Sequence, residues 1–288
     1  MAVRSRSPVE WVWEELKIAV AAVGSVVDND SPAEARRRGE APLVRRIGLA
    51  DPWEALKQGY ADFATFRGDA VFLCAIYPVA GLVFAWLVAG YNVLPLVFPL
   101  VAGFSLIGPL AAVGLNEMSR LREERENVTW MDAFRVFRSH AIGKITVLGL
   151  LLMLIFLLWL LVAGLIYQAT LGPRPPASLS VFVHEVFHTS AGWTMIVLGI
   201  GIGFLFAVLV LAIGAISFPL LLDRDVRLET AIGTSVRAFT TNPMAMAEWG
   251  LIVTAGLVIG SIPFLLGLAI TLPVLGHASW HLYRRLIW

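Results

Sequence analysis

The run Ile145–Leu171, ITVLGLLLMLIFLLWLLVAGLIYQATL, holds 27 residues and no Asp, Glu, Lys or Arg. About 20 mostly apolar residues in a helix cross a hydrocarbon core roughly 30 Å thick. The segment therefore predicts a membrane span on its own. Working outward, Ala70–Gly90, Val93–Leu115 and Trp193–Leu222 are equally free of charge. A fifth uncharged stretch, Trp249–Leu282, is too long for one helix. Pro is welcome in a first helical turn, so Pro243 and Pro263 divide it into Pro243–Gly260 and Pro263–Leu286, a tight hairpin.

Basic residues set the orientation. Lys and Arg in short loops mark the cytoplasmic side. With six spans, 21 of the 22 basic residues fall on one side, and only Arg174 lies on the other. With five spans, Arg284 and Arg285 would be stranded outside. The sequence thus predicts an all-α, polytopic bundle of about six spans, both termini cytoplasmic.

Composition agrees with this placement. Of 288 residues, 58% are hydrophobic and 15% charged, and the mean hydropathy is +0.77. Soluble domains carry about 25% charged residues, so disordered chains, nucleic-acid binders and ordinary soluble enzymes are excluded as classes. The lone Cys74 excludes an internal disulfide and a cysteine metal cluster. Near the N-terminus, Val9–Val27 contains Glu10, Glu14, Glu15 and Lys17, which break any signal-peptide core. Its Val9, Val12, Trp13, Leu16, Val20, Val23 and Val27 form a helical stripe suited to a membrane surface or a partner. Residues 1–50 therefore read as a cytoplasmic amphipathic helix with a basic linker, and 51–288 as the membrane domain. The arginines at 36–38 are topogenic charge that could also meet anionic lipid.

Three segments share one pattern. Asp51–Phe63, Thr129–Arg138 and Leu228–Phe239 each lead into a span with apolar residues at helical spacing. These are Trp53, Leu56, Tyr60, Phe63; Trp130, Phe134, Phe137; and Leu228, Ile232, Val236, Phe239. Each reads as a short interfacial amphipathic helix. The exits also correspond, since Pro109, Pro219 and Pro273 precede a last stretch of helix bearing Glu117, Asp223, and His277 with His281. Three parallel repeats follow, about 51–120, 128–224 and 226–287, unlike the inverted repeats of many transporters.

The stretches Val44–Trp53, Ser217–Val226 and Leu272–Arg285 resemble a bacterial integral-membrane family of unknown function, over roughly Arg45–Leu286. Its members are sometimes labelled cytochrome c oxidase subunits. The resemblance implies a polytopic inner-membrane protein and no activity. A haem–copper catalytic subunit needs about six histidines deep in its helices. The five present, His140, His184, His188, His277 and His281, are none of them mid-span, so only an accessory subunit would fit.

Two histidine pairs stand out. His184-Glu185-Val186-Phe187-His188 matches the zinc-protease pattern in which i, i+4 imidazoles bind the metal. A catalytic zinc needs a third protein ligand, and the loops expected on that side supply none, so the pair reads as surface residues beside Trp193. His277 and His281 are also i, i+4. Asn116, Glu117, Asp223, His277, His281 and Arg284 would form a polar cluster if the exits converge. Such a cluster could ligate a metal or haem, relay protons, or tie the helix ends. Interfacial anchoring by Trp280, Tyr283 and Arg284 is the simpler account. Gly199-Ile-Gly-Ile-Gly203 reads as small-residue helix packing, and Pro95, Pro99 and Pro109 as kinks.

Membrane pathways for protons and ions need ionisable groups within the bilayer, and the middles of these spans carry none, with Gln168, Thr254, Ser261 and Thr271 among their uncharged polar residues. The leading expectation is a non-enzymatic protein with no cofactor. Its partners would be the bilayer and other membrane proteins, a respiratory oxidase being the sharpest case, and not nucleic acid. A transporter or channel for a small amphiphile or lipid is the alternative. A metal- or haem-binding redox protein using His277 and His281 is the third.

Overall fold

The computed structural model describes residues 42–74, 112–125, 127–174, 176–262 and 266–288. The expected N-terminal amphipathic helix, most of spans Ala70–Gly90 and Val93–Leu115, and Pro95, Pro99 and Pro109 lie outside these residues. Among the described residues the chain is helical, apart from one antiparallel bridge between Val44 and Ile287. The helices are α1 (Ala50–Cys74), α2 (Val113–Glu124), a 3-10 helix η1 (Trp130–Arg138), α3 (Ile142–Thr170), α4 (Leu179–His188), α5 (Ser190–Asp223), α6 (Leu228–Thr241), α7 (Pro243–Ser261) and α8 (Leu268–Leu286).

Three of these are long and apolar enough to cross a membrane: α3, α5 and α7. Their outward faces are hydrocarbon-like. Leu150, Leu154, Leu157, Leu158, Leu161 and Leu165 of α3 are all exposed, a disposition that favours lipid over water. The expected hairpin takes the form of α7 and α8 packed antiparallel, with Gly256 against Leu275 and Gly260 against Gly267 and Thr271. Helix α8 is as long as α7, at 19 residues, but is not apolar enough to count among the candidate spans. Its last turns carry His277, His281, Arg284 and Arg285, which belong to a polar layer rather than to hydrocarbon.

That layer gathers at one end of the bundle. Lys144 at the start of α3 is buried, and its Nζ reaches Asp225 Oδ1 at 3.1 Å and donates to the Val226 carbonyl just beyond α5. Tyr283 near the end of α8 donates to Asp223 Oδ2, which ends α5, at 2.6 Å. Trp53 of α1 donates through Nε1 to Glu248 in the early turns of α7 at 2.7 Å. Asn242 clamps the approach to α1, accepting from Ile47 N at 2.8 Å and donating to the Arg45 carbonyl at 2.9 Å.

The amphipathic helices face outward and inward by different rules. In α1 the apolar stripe seen in sequence points out, with Trp53 and Tyr60 exposed and Leu56 and Phe63 half-buried. The buried stripe is Ala55, Gly59, Asp62 and Phe66, at helical spacing. η1 behaves alike: Met131, Phe134 and Phe137 are exposed, Ala133 and Val136 buried. In α6 the stripe turns inward, with Leu228 and Ile232 buried. Helix α1 leaves helical backbone geometry at Phe66 (φ −104°, ψ 17°), a kink that divides it into two helical pieces.

Small residues govern how closely α1 and α8 approach. A Cβ at Gly59 would stand 2.4 Å from the Ala278 nitrogen, nearer than any real side chain could remain. α2 packs on η1, α5 on α6, and α8 on α1. Proline interrupts neither exit described here, since Pro219 lies inside α5 and Pro273 inside α8.

Candidate functional site

Helices α1, α2 and α8 converge on one carboxylate. Asp62 belongs to the buried stripe of α1 and is 4% exposed. A buried carboxylate is costly unless its oxygens are satisfied, and three side chains from two other helices do this, with a fourth behind them. Ser119 of α2 donates its hydroxyl to Asp62 Oδ2 at 2.6 Å, and His281 of α8 donates from Nε2 to the same oxygen at 2.8 Å. Arg122 of α2 pairs with Oδ1. His277, one turn before His281, is the fourth, acting through Ser119.

The hydrogen-bond directions follow from chemistry. The Ser119 proton points to Asp62, so the Ser119 oxygen must accept at its other contact, and His277 Nδ1 donates to it at 2.8 Å. His277 is wholly buried, and its Nε2 has no partner among the described residues. That unpaired nitrogen is accommodated at least cost as the bare lone pair of a neutral ring. The Phe66 ring lies 6.1 Å from it, centroid to centroid. Burial pushes the Asp62 carboxyl up, but the hydrogen bonds from His281 and Ser119, with the two imidazoles nearby, hold it below the ordinary carboxylate range. Asp62 lies outside the three described helices that are long and apolar enough to cross a membrane.

The residues singled out from sequence share this level but divide into separate contacts. Asn116 Oδ1 accepts from Ser279 at 2.8 Å. Glu117 grips Arg120 with both oxygens, at 2.8 and 2.9 Å, a bidentate pair within one helix. Asp223 holds Tyr283, and Arg284 Nε reaches Glu123 Oε2 at 3.2 Å. Only His277 and His281 enter the Asp62 network. Trp280 and Tyr283 are not interfacial anchors: they are 0% and 1% exposed. Both are interior ties, Trp280 donating to Glu123 Oε1 at 2.9 Å.

Sequence reading missed Asp62, Ser119, Arg122 and Glu123. Asp62 alone carried a signal, as the one acid in a small-residue stripe at 55, 59 and 62. Nothing local marked Ser119, whose partners come from distant segments.

His184 and His188 lie at the opposite end, on α4. Their rings stack at 4.6 Å between centroids, and both residues are exposed. Among the described residues no group of three or more His, Cys, Asp or Glu is placed to hold a metal. The turn from α4 into α5 is tight, with Gly192 against the carbonyls of Glu185 and Val186, and Trp193 donating to the Phe187 carbonyl at 3.1 Å. In the glycine run, Gly203 packs beneath Trp159, while Gly199 and Gly201 have open space.

Residues 97–223 match the model of a family described as predicted integral membrane protein (DUF2189). The match covers less than half of the chain, from before α2 to the end of α5. It takes in Ser119, Arg122 and Glu123 and stops short of α8. Its description names no oxidase and no activity. No curated protein and no solved structure matches the chain.

Proposed function

We propose that this membrane protein is a non-catalytic component of a larger membrane assembly, an accessory or assembly factor acting through other membrane proteins. The observation that carries the reading is the state of its polar residues. Asp62, Ser119, His281, Glu117, Glu123 and Asp223 are each bound to a neighbouring side chain. Groups so engaged, among the described residues, serve to fix neighbouring turns and helix ends in place. The reach of the molecule lies in its apolar faces: the leucine face of α3, and Gly199 and Gly201 of α5, where another helix could approach closely.

The finer architecture belongs to the same proposal. The chain crosses a bacterial inner membrane about six times, with the polar layer and both termini in the cytoplasm. Arg174 is the one basic residue assigned to the far side, in keeping with the positive-inside rule. The three repeats close into a ring, each exit helix resting on the amphipathic helix of the next repeat, and the third on the first. Supporting this are the pairings α2 on η1, α5 on α6 and α8 on α1, and the buried Ala55, Ala133 and Ala231 at matching positions. A respiratory complex as the partner rests on the sequence resemblance alone.

Native purification from source membranes in mild detergent, with crosslinking and mass spectrometry, tests the role. A membrane complex recovered in stoichiometric amount, above an unrelated-protein control, is the expected result. A protein that purifies alone overturns it and favours carriage of a small amphiphile.

A further inference from the structure

An open cleft of about 500 Å³ lies between α1, α2 and α8, lined among others by Asp62, Arg122, Glu123, His281, Arg284 and Arg285. Its volume falls within the roughly 300–1,000 Å³ of small-molecule sites. Formal charge of the lining understates its character, because acceptors and donors are unequally used. Both oxygens of Asp62 are taken, by Ser119 and His281 on one side and Arg122 on the other. Both oxygens of Glu123 are taken, by Trp280 and Arg284. Arg285 pairs with Asp51 Oδ1 at 2.8 Å, and the other Asp51 oxygen accepts from Gly48 N.

Each guanidinium carries five N–H donors in a planar fork. Arg122, Arg284 and Arg285 each direct one nitrogen at these carboxylates, and Arg285 Nε is buried without a partner among the described residues. The surplus is therefore of donors. The Asp62 side chain lies beneath at 6% exposure, while Arg122 and Arg284 stand above it at 36% and 46%. A species entering the cleft meets guanidinium forks before it meets the Asp62 carboxylate.

From this geometry we infer that the cleft is a binding site for a phosphate-bearing anion. Arginine forks match phosphate oxygens in pairs, with charge-assisted hydrogen bonds. The cleft is lined by the polar last turns of α8 in a chain with membrane-spanning helices, so a phospholipid headgroup and a free phosphate compound would present the same chemistry to it. The site needs no partner protein, and its failure would leave the assembly role untouched.

The test titrates the full chain in a glycoside detergent that contains no phosphate, by calorimetry. One arm uses inorganic phosphate and the other soluble short-chain phosphatidylglycerol. Saturable one-to-one binding is expected in at least one arm: phosphate alone identifies a soluble anion, phosphatidylglycerol alone a headgroup. R284Q and R122Q each weaken it at least tenfold, whereas R138Q on η1, outside the cleft lining, does not. E123Q keeps an acceptor for Trp280 but releases Arg284, and it tightens binding severalfold, an effect that a merely structural pair would not give. Absence of binding in both arms overturns the inference. So does wild-type affinity in both R284Q and R122Q, an equal loss in R138Q, or weakening in E123Q.

Discussion

Asp62 and His277 share one hydroxyl: Ser119 Oγ stands 2.6 Å from the carboxylate and 2.8 Å from the imidazole Nδ1. Three helices are thereby joined through a single oxygen, and the order of donors is fixed by the one group that can only accept. Removing the acceptor should undo the arrangement. Asp62→Ala leaves the Ser119 and His281 donors and the Arg122 charge without their carboxylate. Breaking one side of a buried pair costs about 3–5 kcal/mol. Detergent-denaturant unfolding should show a loss of that order, and a loss below about 1 kcal/mol would remove Asp62 from the centre of the structure.

Acid should have the same effect reversibly. The folded carboxyl of Asp62 is held below its ordinary value of 3.8. Its contribution is therefore fully present above the unfolded value and disappears as pH falls through the lower folded one. The melting temperature should decline from about pH 5 downward. Asp62→Asn, already weakened at neutral pH, should show a flatter profile in that window; parallel profiles would contradict the assignment.

Gly59 sets the distance between α1 and α8. A methyl there meets Ala278 backbone at 2.4 Å, whereas one at Gly256 meets the flexible Leu275 Cδ1 at 3.1 Å. Overpacking costs about 1–3 kcal/mol where neighbours cannot yield. Gly59→Ala should destabilise clearly more than Gly256→Ala in side-by-side melts.

Orientation is open to chemical labelling. In a Cys74→Ser background, Arg237→Cys on α6 and Ser180→Cys on α4 occupy exposed positions at opposite ends of the described bundle. An impermeant maleimide applied to intact cells should label the second and spare the first. The reverse pattern would invert the proposed topology.

How much of this was legible varies by residue. Long uncharged runs announce helices because backbone polar groups in lipid must bond internally, so α3 and α5 could be read directly. The break between α7 and α8 was also visible, through Pro263 and the neighbouring glycine. The polar cluster was legible only as a level in the membrane. His277 and Asp223 end at similar heights, yet they bond to Ser119 and Tyr283 rather than to each other, because side-chain pairing depends on helix rotation, which local periodicity does not supply. Trp280 and Tyr283 misled for a related reason. Aromatic residues beside arginines fit an interface, but here Trp280 donates to Glu123 of α2 and Tyr283 to Asp223 of α5, and both side chains are closed in among the helix ends.

The pairing of α1 with α8 also orders the molecule's assembly in time. During synthesis the stripe of Ala55, Gly59 and Asp62 emerges early, while its partner helix is made more than two hundred positions later. Until then Asp62 has only its partners on α2, Ser119 and Arg122, and the flat, side-chain-poor strip lacks the helix that covers it. A nascent chain halted before α8 would keep that strip exposed, a mark by which a chaperone or protease could tell unfinished copies from finished ones.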